Sequence, residues 1–366
     1  MKNILILLLF PFILFSQNTP KAKKAYAKAV ELFEVSNDKK AKDLLMSAIR
    51  HDNNYLPTYL LLGQIEEEQG NIQLAIDNYL KGLSDNNPDN AWGYWKVGML
   101  YMQKPDYVEA KRAFTHFLTF KYQRSEKVES ARKELKNCEF SIDAMANPKP
   151  FDFKNMGEGV NSEWEEYLPS VSADGKLFVI TRRGPYQNGI VSEDFFQSVY
   201  KDGKWSMAQN LGPSVNTMGN EGAQCLSPNG KVLFFTACDR KDGLGRCDIY
   251  ISVKRNGQWS EARNIGPSIN TKHWESQPTI SPDGRELYFV SNRPEGYGGM
   301  DIWKSVLTEK GTFSEPVNLG STINTSYDEM SPFIHTDNQT LYFASEGHPG
   351  LGDFDLFLSR RDYPSA

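Results

Sequence analysis

The sequence predicts a multidomain α+β chain: an α-solenoid of helical repeats, then an all-β propeller of about four blades. Three observations predict it. Small residues recur every 34 or 35 positions in the first third, within helical apolar spacing. A block of about 54 residues recurs four times in the remainder, each copy carrying several short apolar strands and a tight turn. Gly and Pro become frequent after residue 147, and aromatic residues make up 12% of the whole, which favours a folded, turn-rich β part over disorder. A length of 366 residues suits about two domains.

The chain opens MKNILILLLFPFILFSQN. Lys2 supplies a short positive region, Ile4 to Phe15 an apolar run, and Ser16 a small residue before a cut. Residues 1–16 therefore read as a secretory signal peptide, the run being too short to span a bilayer as an anchor would. No Cys lies near the cut, so a lipoprotein is not expected. No later apolar run reaches spanning length, so no membrane span is expected after signal cleavage. Lys and Arg number 41 against 46 Asp and Glu, a net charge of −5, which leaves no electrostatic footprint for nucleic acid.

Residues 21–145 carry the first repeat. Ala41, Ala75 and Ala110 mark its copies, each followed four residues later by a large residue: Leu45, Tyr79 and Phe114. Gly63 and Gly98 stand twelve residues before the second and third Ala, with Tyr59 and Tyr94 four residues earlier still, and Pro88 follows the second copy. Small residues let paired helices approach and large ones fill the gap. This resembles the TPR pattern, with Glu66 and Gly82 as departures from it. About three repeats are expected, then a capping helix around Ser125 to Met145, then a linker at 146–150 (ANPKP).

Residues 151–366 carry the second repeat. Its blocks begin at Glu166, Glu221, Glu275 and Glu329. Each holds a hairpin turn (SADG, SPNG, SPDG, HTDN), because Asp-Gly and Asn-Gly tolerate positive φ. An apolar strand follows (LFVIT, VLFFT, ELYFV, TLYFA), then a Gly-rich loop, then a third strand beginning at Asp194, Asp248, Asp301 or Asp355. Three blocks add a fourth segment ending in NT. Residues 151–166 match the end of a block, so this segment is expected to supply the strand that block four lacks and so close the ring. Five blades are expected instead if the chain continues past Ala366.

The block pattern SPDG, LYF, DIY, WS, NLG and INT resembles the WD40-like repeats of TolB-type periplasmic proteins. With the signal and the TPR-like helices, the order is similar to the N-terminal part of OmpA-family outer-membrane-associated proteins of Bacteroidetes, some of which serve type IX secretion and gliding. The resemblance implies an exported, periplasmic or outer-membrane-associated protein with protein partners at the cell envelope. In that family a peptidoglycan-binding OmpA-like domain usually follows the blades, so wall association is expected only with such a domain.

The repeated carboxylates read as framework rather than catalysis. Counting from the turns sets Glu166 opposite about Arg183 and Glu275 opposite Asn292 or Arg293, as cross-strand ion pairs. The same count sets Cys238 opposite Cys247, close enough to bridge. Cys138 and Cys225 read as small buried apolar residues. Loops between the second and third strands bring Arg182, Arg183, Arg240, Lys241, Arg246 and Arg293 to one rim with Tyr186, Tyr297 and His348. They form a candidate pocket for an anionic peptide or glycan, against the alternative of framework pairing and solvated surface. Trp92, Trp95, Met99 and Met102 share one helical face, extended by Tyr26, Val30 and Phe33, as a candidate peptide groove. The alternative is that this face is packed against a neighbouring element. GxSxG, HExxH and P-loop signatures are absent, and the five His have no metal-ligand spacing. The expectation is a non-enzymatic scaffold without cofactor or metal. The alternative is a propeller enzyme or lectin-like binder acting on glycans or peptides.

Overall fold

The computed structural model describes residues 19–83, 91–121, 125–148, 150, 152, 154–185 and 191–362. The expected signal peptide, Pro88 and Tyr186 lie outside the described residues. The chain forms two compact units, Met1–Pro148 and Lys149–Ala366.

The first unit is helical. Its helices pack as successive pairs: α1 (Thr19–Glu34) with α2 (Asp38–His51), α3 (Pro57–Glu68) with α4 (Ile72–Gly82), and α5 (Ala91–Gln103) with α6 (Tyr107–Phe117). A final helix, α7 (Ser125–Ala146), lies on α6 and α5. The repeat residues explain the pairing. Ala41, Ala75 and Ala110 are fully buried, as are Leu45, Tyr79 and Phe114. A Cβ on Gly63 would sit 2.7 Å from the Tyr79 ring, and one on Gly98 would sit 2.6 Å from Phe114. Glycine is therefore needed where one helix lies against the aromatic ring of the next. The two departures are also accounted for. Gly82 abuts Leu60, where a Cβ would lie 2.7 Å away. Glu66 is buried but held by Lys42 at 2.6 Å and Asn71 at 2.8 Å, so its charge is compensated.

The second unit is four antiparallel sheets, one per block. The first is β1 (Glu165–Val171), β2 (Leu177–Pro185) and β3 (Val191–Lys201), with short β4 (Lys204–Trp205) and β5 (Gln209–Asn210) both pairing β3. The second repeats this as β6 (Glu221–Leu226), β7 (Val232–Cys238), β8 (Cys247–Arg255), β9 (Gln258–Trp259) and β10 (Arg263–Asn264). The third has β11 (Glu275–Ile280), β12 (Glu286–Ser291), β13 (Asp301–Val306) and β14 (Val317–Asn318). The fourth has β15 (Glu329–Ile334), β16 (Thr340–Ser345) and β17 (Asp355–Arg360). Hairpin turns join the first two strands of each sheet. Gly175, Gly230 and Gly284 take φ of +68°, +65° and +73° there, and Asn338 takes +55° in the fourth.

The core lies in the seams between blades. Phe235 and Leu233 of the second blade meet Val179 and Phe195 of the first. Phe289 and Leu287 meet Ile249 across the next seam, and Phe343 and Leu341 meet Val290 and Ile302 across the third. Polar clips tie two seams: Ser170 Oγ accepts the Leu226 N–H at 2.8 Å, and Thr279 Oγ1 accepts that of Ile334 at 3.4 Å.

The expected pairing of the N-terminal segment with the fourth blade is not seen: among the described residues nothing pairs with the outer edge of β17. Residues 155–161 instead fold into a tight hook that rests on the first blade, where Arg182 Nη2 donates to Val160 O at 2.9 Å. Leu356 and Leu358 on β17 are left 83% and 62% exposed.

A second difference is one of register. Glu166 pairs with Arg182 rather than Arg183, and Glu275 with Ser291. The reason is a bulge in every inner strand, centred on Leu168, Ala223, Gln277 and Ser331, which have φ between +49° and +53°. The extra residue shifts the count by one.

The third sheet also carries an acid-sensitive ion cluster. Glu286 accepts from Arg361 at 2.7 Å, Lys304 at 3.0 Å and Tyr288 at 2.9 Å. Burial works to raise its pKa, but these donors outweigh it and hold the group at about 2. The folded pKa lies below the unfolded value, so this stabilisation is complete above about pH 4.5 and is lost as pH falls toward about 2. Acid unfolding followed by tryptophan fluorescence should fall more steeply in that window for the wild type than for Glu286→Gln.

Candidate functional site

The rim cations are built into the framework. Glu221 is fully buried and accepts the Thr217 N–H at 2.8 Å, the Thr217 hydroxyl at 2.6 Å and Arg240 Nη2 at 2.9 Å. The same Arg240 nitrogen donates to Val215 O at 2.7 Å, tying the preceding hook to the blade. Blade three repeats the arrangement with Glu275, Thr271, Arg293 and Ile269 O. Burial pushes the Arg293 guanidinium below its usual range while Glu275 opposes the shift. Blade one uses Glu166 and Arg182 at 2.7 Å, with Ser162 in place of the Thr. In blade four His348 holds the Arg position, its Nε2 lying 3.0 Å from Ile323 O, and Glu329 takes Thr325 and Ser345 instead.

The structure therefore does not gather these residues into an anionic pocket. Arg182, Arg240, Arg293 and His348 are committed to hooks and carboxylates. Arg183 pairs with Glu165 at 3.2 Å on the surface, and Arg246 stands 3.9 Å from Asp239. Lys241 and Tyr297 are exposed, and the backbone N–H of Tyr297 goes to Asp301. The repeated Asp of the third strand has a matching role: Asp248, Asp301 and Asp355 each accept two backbone N–H groups from their loops. Cys238 and Cys247 face each other on β7 and β8 and form a disulfide. Cys138 and Cys225 are free and buried.

The helical stripe is not an open groove either. Trp95 donates from Nε1 to Ser130 on α7 at 3.2 Å, and Lys127 lies 3.8 Å above its ring. Met99 and Met102 pack against a buried cluster that includes Ala131 and Cys138 of α7, and Met102 sulfur lies 3.5 Å from Cys138. Trp92 meets Tyr79 edge-on at 5.9 Å. Tyr26, Val30 and Phe33 join the core of the first helix pairs. An apolar stripe beside a long following helix is covered by it.

What sequence reasoning missed is a cavity of about 650 Å³ in the middle of the propeller. The second half of every inner strand lines it, with Pro169, Leu226, Ile280 and Phe333 representing the four blades. Neutral Ser, Thr and Gln side chains complete the wall, and among the described residues no charged side chain lines it. That is a notable selection in a chain with 24% charged residues. Its signal in the sequence is the apolar residue before each turn (Val171, Leu226, Ile280, Ile334) and the prolines at 169, 278 and 332. Such a site takes an apolar, uncharged group, since an ion would lose its hydration without a partner. Among the described residues no cluster of metal-ligating side chains forms, and no helix is long and apolar enough to cross a membrane.

No protein-family model matches the chain, and no curated protein does. Among solved structures, TolB from Acinetobacter baumannii is 14% identical with a TM-score of 0.37, over 66% of this chain and 58% of that one. The C-terminal part of a TPR repeat-containing protein from Cytophaga hutchinsonii is 20% identical with a TM-score of 0.30, over 35% and 48% respectively. The Yersinia enterocolitica type III secretion chaperone SycD, in complex with a peptide of the translocator YopD, is 17% identical with a TM-score of 0.29, over 33% and 93%. The chain thus spans about half to three fifths of the length of the first two.

Proposed function

We propose that the protein is an exported, non-enzymatic scaffold that binds protein partners at the periplasm or outer membrane, within an envelope or type IX secretion assembly. The observation that carries the binding role is the uncharged central cavity of about 650 Å³, walled by a rigid framework and sized for a bulky apolar side chain or short apolar segment of a partner. The buried carboxylates that would suggest chemistry are taken up by Thr, Ser and Arg donors, which suits a framework role. Export is supported by the N-terminal signal pattern and by the Cys238–Cys247 disulfide, a bond favoured in oxidising compartments.

The test is a cross-linked pull-down from the native envelope fraction, comparing wild type with Phe333→Asp. Phe333 lines the cavity but is 52% exposed, so a charge there is tolerable to the fold. Wild type is expected to recover defined outer-membrane or periplasmic proteins, and the variant to lose at least about tenfold of that recovery, or ~1.4 kcal/mol. Equal recovery would remove the cavity from the reading. Recovery of nothing from the envelope would remove the scaffold itself.

A further inference from the structure

The loops between the second and third strands of blades two, three and four share one design. Leu244, Tyr297 and Leu351 each sit between two glycines, four residues before the Asp that opens the third strand. That Asp accepts the N–H of the central residue, at 2.8 Å for Leu244 and 2.6 Å for Tyr297 and Leu351. A Cβ on the first glycine of any of the three loops would collide with the same carboxylate. A Cβ on Gly245 or Gly298 would collide with backbone carbonyls of the following hook. The framework thus explains the glycines and the Asp. It makes no demand on the central side chain, which is nevertheless apolar or aromatic each time and 49%, 54% and 47% exposed. A single exposed apolar residue is ordinary, but the same choice at three equivalent tips marks a contact surface.

The three loops join the same two strands of their blades, so the tips emerge at one end of the propeller. The hairpin turns, whose Pro228 and Pro282 border the central cavity, lie at the other end. The tips are held stiffly: the Asp bonds fix each backbone, and the Cys238–Cys247 disulfide closes the base of the loop that carries Leu244. Charge divides between neighbouring tips. Around Leu244, exposed Lys241, Arg246 and Lys272 outnumber Asp239 and Asp242. Lys272 belongs to this group because the carbonyls of Thr271 and His273 lie over Gly245. Beside Tyr297 the charge is acidic, with exposed Glu295 and half-buried Asp328, since Arg293 is committed to Glu275.

We propose that the tips of blades two and three form a two-fold contact with the same tips of a second copy of this chain. A two-fold axis at the seam between these blades sets Leu244 of each copy on Tyr297 of the other. It also sets Arg246 of each copy against Glu295 of the other. The patch is then its own complement: apolar tip meets apolar tip, and basic flank meets acidic flank, each twice. That division of charge between adjacent tips favours a second copy over an unrelated protein, which would have to supply the opposite polarity independently. Tips already fixed by the Asp bonds and the disulfide lose little freedom on docking. The contact uses only blades two and three and lies at the end away from the turns that border the cavity, so it stands or falls separately from the cavity reading.

Sedimentation velocity of the full chain from about 1 to about 100 μM tests the contact. Wild type is expected to pass reversibly from monomer to dimer within that range. Leu244→Asp and Tyr297→Asp are each expected to weaken the dimer at least about tenfold. Both tips are half exposed, so a charge there leaves the fold intact, which near-ultraviolet circular dichroism checks. Met207→Asp is the control: this residue is 68% exposed between β4 and β5, and its change is expected to leave the dimer as it is. Arg246→Glu and Glu295→Arg are each expected to weaken the dimer at least about threefold, and the two together to restore it to within about twofold of wild type. A wild type that stays monomeric throughout, a dimer indifferent to both tip variants, or a double charge variant no tighter than the single ones would each overturn the proposal.

Discussion

Glu275→Ala should cost the propeller about 3–5 kcal/mol. The carboxylate is fully buried and collects the Thr271 N–H at 2.7 Å, the Thr271 hydroxyl at 2.8 Å, Ser291 at 2.9 Å and Arg293 at 3.2 Å. Its removal leaves the Arg293 guanidinium, only 10% exposed, without a counter-charge and unfastens the hook that ends blade two. Truncating one partner of a buried pair exposes the full desolvation cost of the other. Glu165→Ala is the control. It breaks the Arg183 pair on the surface, where water already solvates both groups, and should cost no more than about 1 kcal/mol. Urea unfolding of both variants, followed by near-ultraviolet circular dichroism, measures the difference. Similar midpoints for the two would contradict the framework role given to the repeated Glu–Arg–hook unit.

Phe235→Ala should be comparably damaging, by about 3–5 kcal/mol, for an apolar reason. Phe235 is fully buried in the first seam, edge-on to Phe195 at 5.2 Å and stacked on Tyr250 at 6.0 Å. Truncation opens a void that rigid strands on both sides cannot collapse into. The loss should appear as faster hydrogen exchange in both flanking blades, because the ring belongs to the contact between them. Phe333→Ala removes a ring of the same size from a half-exposed site and should cost less than about 1.5 kcal/mol. A Phe235→Ala variant with wild-type stability would mean that the seams are not where the propeller is held together.

Much of this architecture is written locally. The Ala and Gly positions of the helical pairs and the Asn-Gly and Asp-Gly turns each state a physical demand, close approach or positive φ, in the residue itself. The facing of Cys238 and Cys247 also follows from a simple count, because β7 and β8 pair without interruption. The count fails in the inner strands, where Leu168, Ala223, Gln277 and Ser331 occupy left-handed positions that no glycine announces. The candidate site was less legible for a different reason. Composition shows that cations are near one rim, but not that Val215 and Ile269 carbonyls would take Arg240 and Arg293. The stripe of Trp95, Met99 and Met102 is plain in the sequence, yet only packing shows that α7 covers it. The cavity arises from four strands meeting at a centre, which no single segment encodes.

The broken inner strands limit how a guest can be held. A straight, uninterrupted edge invites a foreign peptide to add as one more strand, using repeated backbone hydrogen bonds that ignore side-chain identity. Here each edge bends at its left-handed residue, and Pro169, Pro278 and Pro332 remove the next donor in three of the four. Sheet extension along the wall is blocked, so a guest is selected by the volume and shape of what it inserts. The same blunting keeps the centre of the propeller from seeding aggregation whenever it stands open to solvent.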